Sequence, residues 1–537
     1  MNANDKSRGS GVGSRESNTV FVLICLHLLI VLPLAYVLNI WADEASTLYT
    51  TEHGLFQTFQ NVFADEKQAP LYFWLLSLWR EINHSIFFAR IFSIVCSVLA
   101  IKFFYDLARK LFDEKAAIFI TTFFALHPFL IWASLEIRVY SLVVLLSVLL
   151  LKLFLDGYLS EENISREGVK APRKMPIFYV LTAIIALYTN YYLGFLLIGC
   201  FAALVVMRKQ KKARQFFLQM LFVGLAILPL MWEIKQQFAI NTAGFQPDKS
   251  IVEGLRIFWN HFLTFIFPTE LFPPDEQTWV SFLRVWVVRF GIIAVIFLLA
   301  KSFYKIRQIV RPDQQNDRAI RFSLINYDRK MLLFGVIAGT VGAFLIAAYF
   351  LLGAKFVEIR HATVLFVPLV LFVFTVLINI LPRRSWIFLA LIFAFLYPYS
   401  IYNLYPNATK RGDWSRVAVF IEQNEKPNQP IIVFTAFDAL ALPYYYKGAN
   451  KILPDEKLFD WEIEADKETK LSWKKQTEFI ISGIPPAAPE VWLLTNEKCD
   501  VRSACEPLEN FVEAHYTVIE ERDFFKEKVR LLRKKND

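Results

Sequence analysis

From residue 19 to residue 403 the chain alternates long apolar runs with short polar joints. A membrane-crossing helix needs roughly 20 mostly apolar residues, because each residue rises ~1.5 Å across a ~30 Å hydrocarbon core. Eleven runs are candidates: about 19–40, 87–108, 116–134, 136–156, 176–190, 191–207, 215–234, 285–305, 331–352, 362–381 and 386–403. Lys6, Arg8 and Arg15 precede the first, and no small-residue cleavage site follows it, so it reads as a retained span. A further run, 69–82, would rise only ~21 Å as a helix and falls short of the core. Beyond about 404 the pattern changes. Short strand-like runs (Ile431–Thr435, Val491–Thr495, Tyr516–Ile519, Lys528–Leu532) alternate with helical ones, and Trp414, Val417, Phe420 and Ile421 recur at helical spacing. The predicted fold is a polytopic all-α membrane protein of about 11 transmembrane helices, with a small C-terminal α/β domain outside the membrane over 404–537 and a disordered cytoplasmic tail over 1–18.

Composition agrees with this picture. AVILMFWYC residues make up 55% of 537, mean hydropathy is +0.39, and charged residues reach only 20%, against about 25% in soluble chains. The 52 phenylalanines exceed what a water-soluble core can hold. A formal net charge of +9 would suggest a polyanion partner in a soluble protein. Here the basic residues sit in joints between apolar runs, where they set orientation, and a nucleic-acid partner is not indicated. They also decide whether 69–82 crosses. If it does not, Arg109–Lys110–Lys115, the 208–214 stretch RKQKKAR, the 301–330 cluster and Arg383–Arg384 all fall on the side of the N-terminus, the cytoplasm. If it does, the 208–214 and 301–330 clusters lie outside. The first arrangement obeys the positive-inside rule and places the C-terminus outside. Cys25, Cys96 and Cys200 lie in apolar runs and read as inert thiols. Cys499 and Cys505 fall in an oxidising compartment on this topology, where they can pair.

Charges at a membrane boundary are costly and ask for a reason. Asp43 and Glu44 follow the first run directly. Glu136 and Arg138 open the fourth, with Tyr140 beyond, and Arg360 with His361 opens the tenth. Asp65, Glu66, Lys67 and Gln68 precede the 69–82 run, and Tyr188, Asn190, Tyr191 and Tyr192 join the fifth and sixth. Taken singly each is an interfacial anchor, since tyrosine and arginine favour that layer. Five such groups at one face, from distant segments, could line one cavity above the bilayer. Its carboxylates could take a proton from a hydroxyl, and its guanidinium forks suit phosphate oxygens. That chemistry suits transfer from a lipid-linked phosphosugar to an alcohol.

The motifs resemble those of the GT-C superfamily of integral-membrane glycosyltransferases, in particular the bacterial branch of protein O-mannosyltransferases and the lipid A aminoarabinose transferase. The matching residues are the acidic pair Asp43-Glu44, the stretch Gln68-Ala69-Pro70-Leu71-Tyr72, Arg90-x-x-Ser93, Glu136-x-Arg138-x-Tyr140-Ser141, Tyr188-Thr189-Asn190-Tyr191 and Arg360-His361. Gln68 and Asn190 stand where the family has histidine, and His361 where it has tyrosine. In the tail, Arg411-Gly412-Asp413-Trp414 resembles a post-membrane Asp-Trp motif of some members. The resemblance makes 19–403 a catalytic domain with an external loop over 41–86. It implies an inverting transfer from a polyprenyl-phosphate-linked sugar to a hydroxyl on a glycan, lipid or protein, at the outer face of the bacterial inner membrane. It implies Asp43 as general base, Glu44 as a second catalytic carboxylate that positions the acceptor or tunes Asp43, Arg138, Arg360 and Lys67 on the donor phosphate, and Gln68, Tyr72, Glu136, Tyr140, Tyr191 and His361 positioning substrate. No cofactor is demanded; a divalent cation could sit by the carboxylates, but no ligand spacing requires one. The rival reading is a transporter or lipid-linked sugar flippase. The chain has only 19 glycines, well below the usual ~7%, whereas broken helices around a midplane site favour more.

Overall fold

A computed structural model gives the fold and describes residues 6–66, 68–159, 175–242, 251–268, 271, 286, 327–352, 359–410, 412–434, 440–453, 482, 484, 488–496, 499 and 506–535. The chain divides into two compact units. One holds residues 1–33, 68–72 and 90–404; the other holds 34–67, 73–89 and 405–537.

The first unit is helical. Its elements are most of α1 (Lys6–Val37) and α5 (Ile86–Leu111), then α6 (Glu114–Leu126), α7 (Pro128–Leu135), α8 (Tyr140–Phe154), α9 (Met175–Thr189), α10 (Leu193–Val206), α11 (Gln210–Thr242), α12 (Ile251–Ile266), α13 (Tyr327–Leu352), α14 (Thr363–Ile380) and α15 (Ser385–Leu404). Among the described residues seven helices are long and apolar enough to cross a membrane, and eight if the bent pair α6–α7 is one span. The protein is a multi-pass membrane protein. α8 packs on α9 and α14, α10 on α13, and α13 on α14. The approach of α10 to α13 rests on Gly199: a Cβ there would lie 3.1 Å from the Ile337 carbonyl oxygen and 3.3 Å from its Cα.

Among the described residues, three of the expected spans differ from continuous full-length helices. The run 116–134 is broken at His127, where α6 and α7 meet at 48°. His127 is the N-cap of α7, its Nδ1 accepting the Phe129 amide at 3.1 Å, and Pro128 follows at the first helical position, which suits proline because that amide has no helical partner. The remaining ring nitrogen, Nε2, then carries the proton and donates to the Phe265 carbonyl at 3.2 Å. The runs 176–190 and 191–207 form apolar helices of only 15 and 14 residues, ~21 Å each. The turn between them is set by Asn190, whose side chain accepts the Tyr192 amide at 2.9 Å. The run 285–305 lies, apart from Trp286, outside the described residues. The 69–82 run forms α4 (Leu71–Arg80), ten residues long, a rise of ~15 Å that is too short to span.

The second unit contains α2 (Ala42–Thr50), α3 (Gly54–Asn61), most of α4, α16 (Trp414–Asn424), α17 (Glu506–His515) and strands β1 (Ile431–Val433), β2 (Ile452–Leu453), β3 (Glu490–Asn496), β4 (Tyr516–Phe524) and β5 (Glu527–Lys534). The strands form one sheet in the order β2-β1-β3-β5-β4; β1 runs parallel to β2 and β3, and β5 antiparallel to β3 and β4. Trp414, Val417, Phe420 and Ile421 are all buried, so the spaced apolar positions of α16 form its inward stripe. Phe420 meets Trp492 of β3 edge-on at 5.9 Å. Cys499 is disulfide-bonded, and Cys505 lies outside the described residues.

Candidate active site

The acidic pair opens α2, in the second unit. Alanine at the first position and carboxylates at the second and third suit a helix start, where negative charge meets the positive end of the helix dipole. The two carboxylates differ in environment. Asp43 is half-buried. Glu44 is fully buried, accepts the Trp41 amide through Oε2 at 3.3 Å, and binds Lys410 Nζ through Oε1 at 2.8 Å. Lys410 is itself buried, so the charges compensate each other away from water. Removing one partner of such a pair typically costs about 3–5 kcal/mol, because the other charge stays behind.

Two further contacts fix the approach to α2. Asn39 Nδ2 donates to the Gly412 carbonyl at 3.2 Å and lies 3.5 Å from Asp413 Oδ1; the Ile40 amide donates to the Tyr445 hydroxyl at 2.7 Å. Gly412 admits no side chain here, since a Cβ would come within 2.8 Å of both the Trp414 indole nitrogen and a Glu527 carboxylate oxygen. At the other end of α2, buried Arg80 donates to the Leu48 carbonyl and, at 2.7 Å, to Thr51 Oγ1. Glu66 accepts from Ser46 at 3.0 Å and Thr50 at 3.2 Å. A nine-residue helix would not persist alone; charged groups from remote segments hold both of its ends.

The arginine motifs lie in the first unit. Glu136 ends α7 and Tyr140 begins α8, so Arg138 sits in the non-helical joint between them; all three are buried. Two of the sequence motifs meet there: Ser93 donates to the Glu136 carbonyl at 2.7 Å. Ser141 closes the joint by donating to the Ala133 carbonyl at 2.7 Å. The Tyr140 ring stacks on Trp132 at 4.8 Å, and buried Tyr72 meets Phe92 edge-on at 5.9 Å. Gln68 is half-buried just before α4. Tyr191 is half-buried in the α9–α10 turn. Arg360 and His361, also half-buried, form a 3₁₀ turn (Ile359–Ala362) ahead of α14, closed by Thr363 Oγ1 donating to the Arg360 carbonyl at 2.5 Å. Lys67 lies outside the described residues.

Sequence reasoning missed Lys410, Arg80, Asn39 and Tyr445. Lys410 did carry a signal, as a cation one residue before the Arg411–Trp414 motif, and so did Arg80, as a charge inside the apolar 69–82 run; the other two had none. Among the described residues no group of three or more His, Cys, Asp or Glu side chains gathers that could hold a metal ion.

The sequence pattern of a family described as dolichyl-phosphate-mannose-protein mannosyltransferase matches residues 67–232. No curated protein matches the chain. Among solved structures, ArnT from Cupriavidus metallidurans bound to undecaprenyl phosphate is similar at 14% identity with a TM-score of 0.42, over 95% of this chain and 97% of that one. The oligosaccharyltransferase of Archaeoglobus fulgidus in the apo form is similar at 12% identity with a TM-score of 0.46, over 90% and 70%. The archaeal oligosaccharyltransferase AglB from the same organism, in complex with an inhibitory peptide and a dolichol-phosphate, is similar at 13% identity with a TM-score of 0.40, over 94% and 74%. Over residues 67–232 the chain thus resembles a family of protein mannosyltransferases.

Proposed function

We propose that the protein is an inverting glycosyltransferase that moves a sugar from a polyprenyl-phosphate carrier to a hydroxyl acceptor, at the outer face of the bacterial inner membrane. The observation that carries this reading is the family match over 67–232, which encloses the buried Glu136-x-Arg138 joint. Asp43 is the general base. Glu44 is committed to Lys410 and to the Trp41 amide, so Asp43 is the half-exposed member of the pair. In the reaction Asp43 takes the proton of the acceptor hydroxyl. That oxygen attacks the anomeric carbon, the bond from this carbon to the phosphate oxygen breaks, and polyprenyl phosphate leaves with the electron pair. Arg138 and Arg360, with Lys67, hold the phosphate and stabilise its growing charge. Glu136 orients Arg138, and Gln68, Tyr72, Tyr140, Tyr191 and His361 shape the substrate sites.

A flippase or transporter would draw on the broken α6–α7 pair, since discontinuous helices mark many transporter sites. Here the break is closed by the two hydrogen bonds of His127, which favours a structural kink.

The test is mass spectrometry of envelope glycoconjugates in a deletion strain, complemented with the wild type or Asp43→Asn. A sugar-bearing species disappears on deletion and returns with the wild type. Asp43→Asn, nearly isosteric, lowers its formation by about 10²–10⁴-fold, the usual worth of a general base. Undiminished formation by Asp43→Asn removes that residue from its role.

A further inference from the structure

Three residues between 410 and 445 grip the short stretch that carries Asp43. Lys410 binds Glu44, the residue next to Asp43, at 2.8 Å. The Gly412 carbonyl receives the Asn39 side chain at 3.2 Å. The Tyr445 hydroxyl receives the Ile40 amide at 2.7 Å. All these groups belong to one compact unit, and both members of the Glu44–Lys410 ion pair are buried. The anchors fall on residues 39, 40 and 44, on either side of the half-exposed carboxylate. They constrain both the direction from which the chain enters α2 and the rotation of its first turn.

We infer that Lys410, with Tyr445, is a positioning residue for Asp43, and that the region after the membrane helices is part of the catalytic machinery through this grip. The inference rests on the reading of Asp43 as general base. Lys410 itself touches neither substrate nor reacting atoms in this scheme. It fixes Glu44, and Glu44 fixes the turn on which Asp43 is presented. A base displaced by ~1 Å can lose about 10²-fold in rate without any change in what the protein binds. The signature of positioning is therefore slowed transfer with undiminished affinity for the carrier.

The experiment compares wild type, Lys410→Met, Lys410→Arg, Tyr445→Phe and Asp43→Asn in the deletion strain. Product formation is normalised to protease-resistant membrane protein. The purified variants are also titrated with undecaprenyl phosphate by native mass spectrometry. Lys410→Met is expected to lower product formation at least tenfold, and Lys410→Arg to restore it to within about threefold. Affinity for undecaprenyl phosphate stays within twofold throughout. If Lys410→Met does not accumulate, Tyr445→Phe decides. It removes one hydroxyl, and a threefold or greater loss of product at unchanged affinity supports the inference. Product within twofold of wild type in Lys410→Met, or in Tyr445→Phe when that variant decides, overturns it. So does a loss matched by lost undecaprenyl phosphate affinity. If Asp43→Asn is inactive while these variants are active, positioning fails alone; if Asp43→Asn is active, the reading of Asp43 fails.

Discussion

Arg80→Met tests whether α2 is held from its C-terminal end. The last carbonyls of a helix lack intrahelical partners. In α2 the Thr51 amide reaches Thr47 O at 3.1 Å and the Glu52 amide reaches Tyr49 O at 3.3 Å, which leaves the Leu48 carbonyl to Arg80 and, at a longer 3.4 Å, to the Thr51 hydroxyl. The same guanidinium nitrogen donates to Thr51 Oγ1 at 2.7 Å, with the side chain only 2% exposed. A hydrogen bond to a charged group contributes about 1.5–3 kcal/mol, and a cation at a helix C-terminus about 0.3–1 kcal/mol more. Thr51 keeps its own donation to Thr47 O at 2.8 Å, so the second bond is worth less than a full one. A loss of roughly 3 kcal/mol follows for local opening of α2, or about 10²-fold in its amide protection. Arg80→Lys keeps a point charge but not the fork, and should lose about half of that, near tenfold. Hydrogen exchange read by mass spectrometry on peptides spanning 42–51 gives the answer directly. Protection within threefold of wild type in Arg80→Met would mean that α2 is held by packing alone.

Two other outcomes follow from the same reasoning. Glu490 on β3 accepts from Arg533 at 2.9 and 2.8 Å and from Gln429 at 2.6 Å. The Arg533 bonds, helped by Gln429 and the Lys426 charge and opposed by burial, hold its carboxyl below the ordinary value of 4.5. A carboxyl depressed by folding adds stability above its unfolded value, and that stability is lost as pH falls through the folded value. Glu490→Gln should thus lower the melting temperature of the full chain at about pH 7, with the gap to wild type closing as pH falls below the ordinary value of 4.5; a pH-independent gap refutes the assignment. A topology reporter inserted after Asn403 should register as extracytoplasmic, and a cytoplasmic signal would mean that 69–82 crosses after all.

The legible parts of the fold were those with a local period. The inward stripe of α16 follows from spacing, because burial on one face imposes that spacing on the sequence, whereas β1 and β3 show as short apolar runs because they are buried along their whole length. Hydropathy located the membrane helices but not their breaks. Between 116 and 134 nearly every residue is apolar, so the sum over a window conceals His127, whose ring ends one helix and starts the next. Between 176 and 207 the apolar runs abut, and only Asn190 marks the turn that leaves two short helices. In the candidate site the residue types were legible as charges out of place at a membrane boundary. Their partners were not, because Glu44 and Lys410 are 366 positions apart and no periodicity connects them.

The division of labour within Asp43-Glu44 shows why adjacency in sequence misleads. Successive residues on a helix point ~100° apart, so two neighbouring carboxylates in a first turn leave the helix in different directions. The helix that separates them is too short to be stable through its own hydrogen bonds. Its rotation is therefore set from outside, by Lys410 and Tyr445 near one end and Arg80 at the other. Glu44 turns toward the buried cation, and the same rotation leaves Asp43 half-exposed.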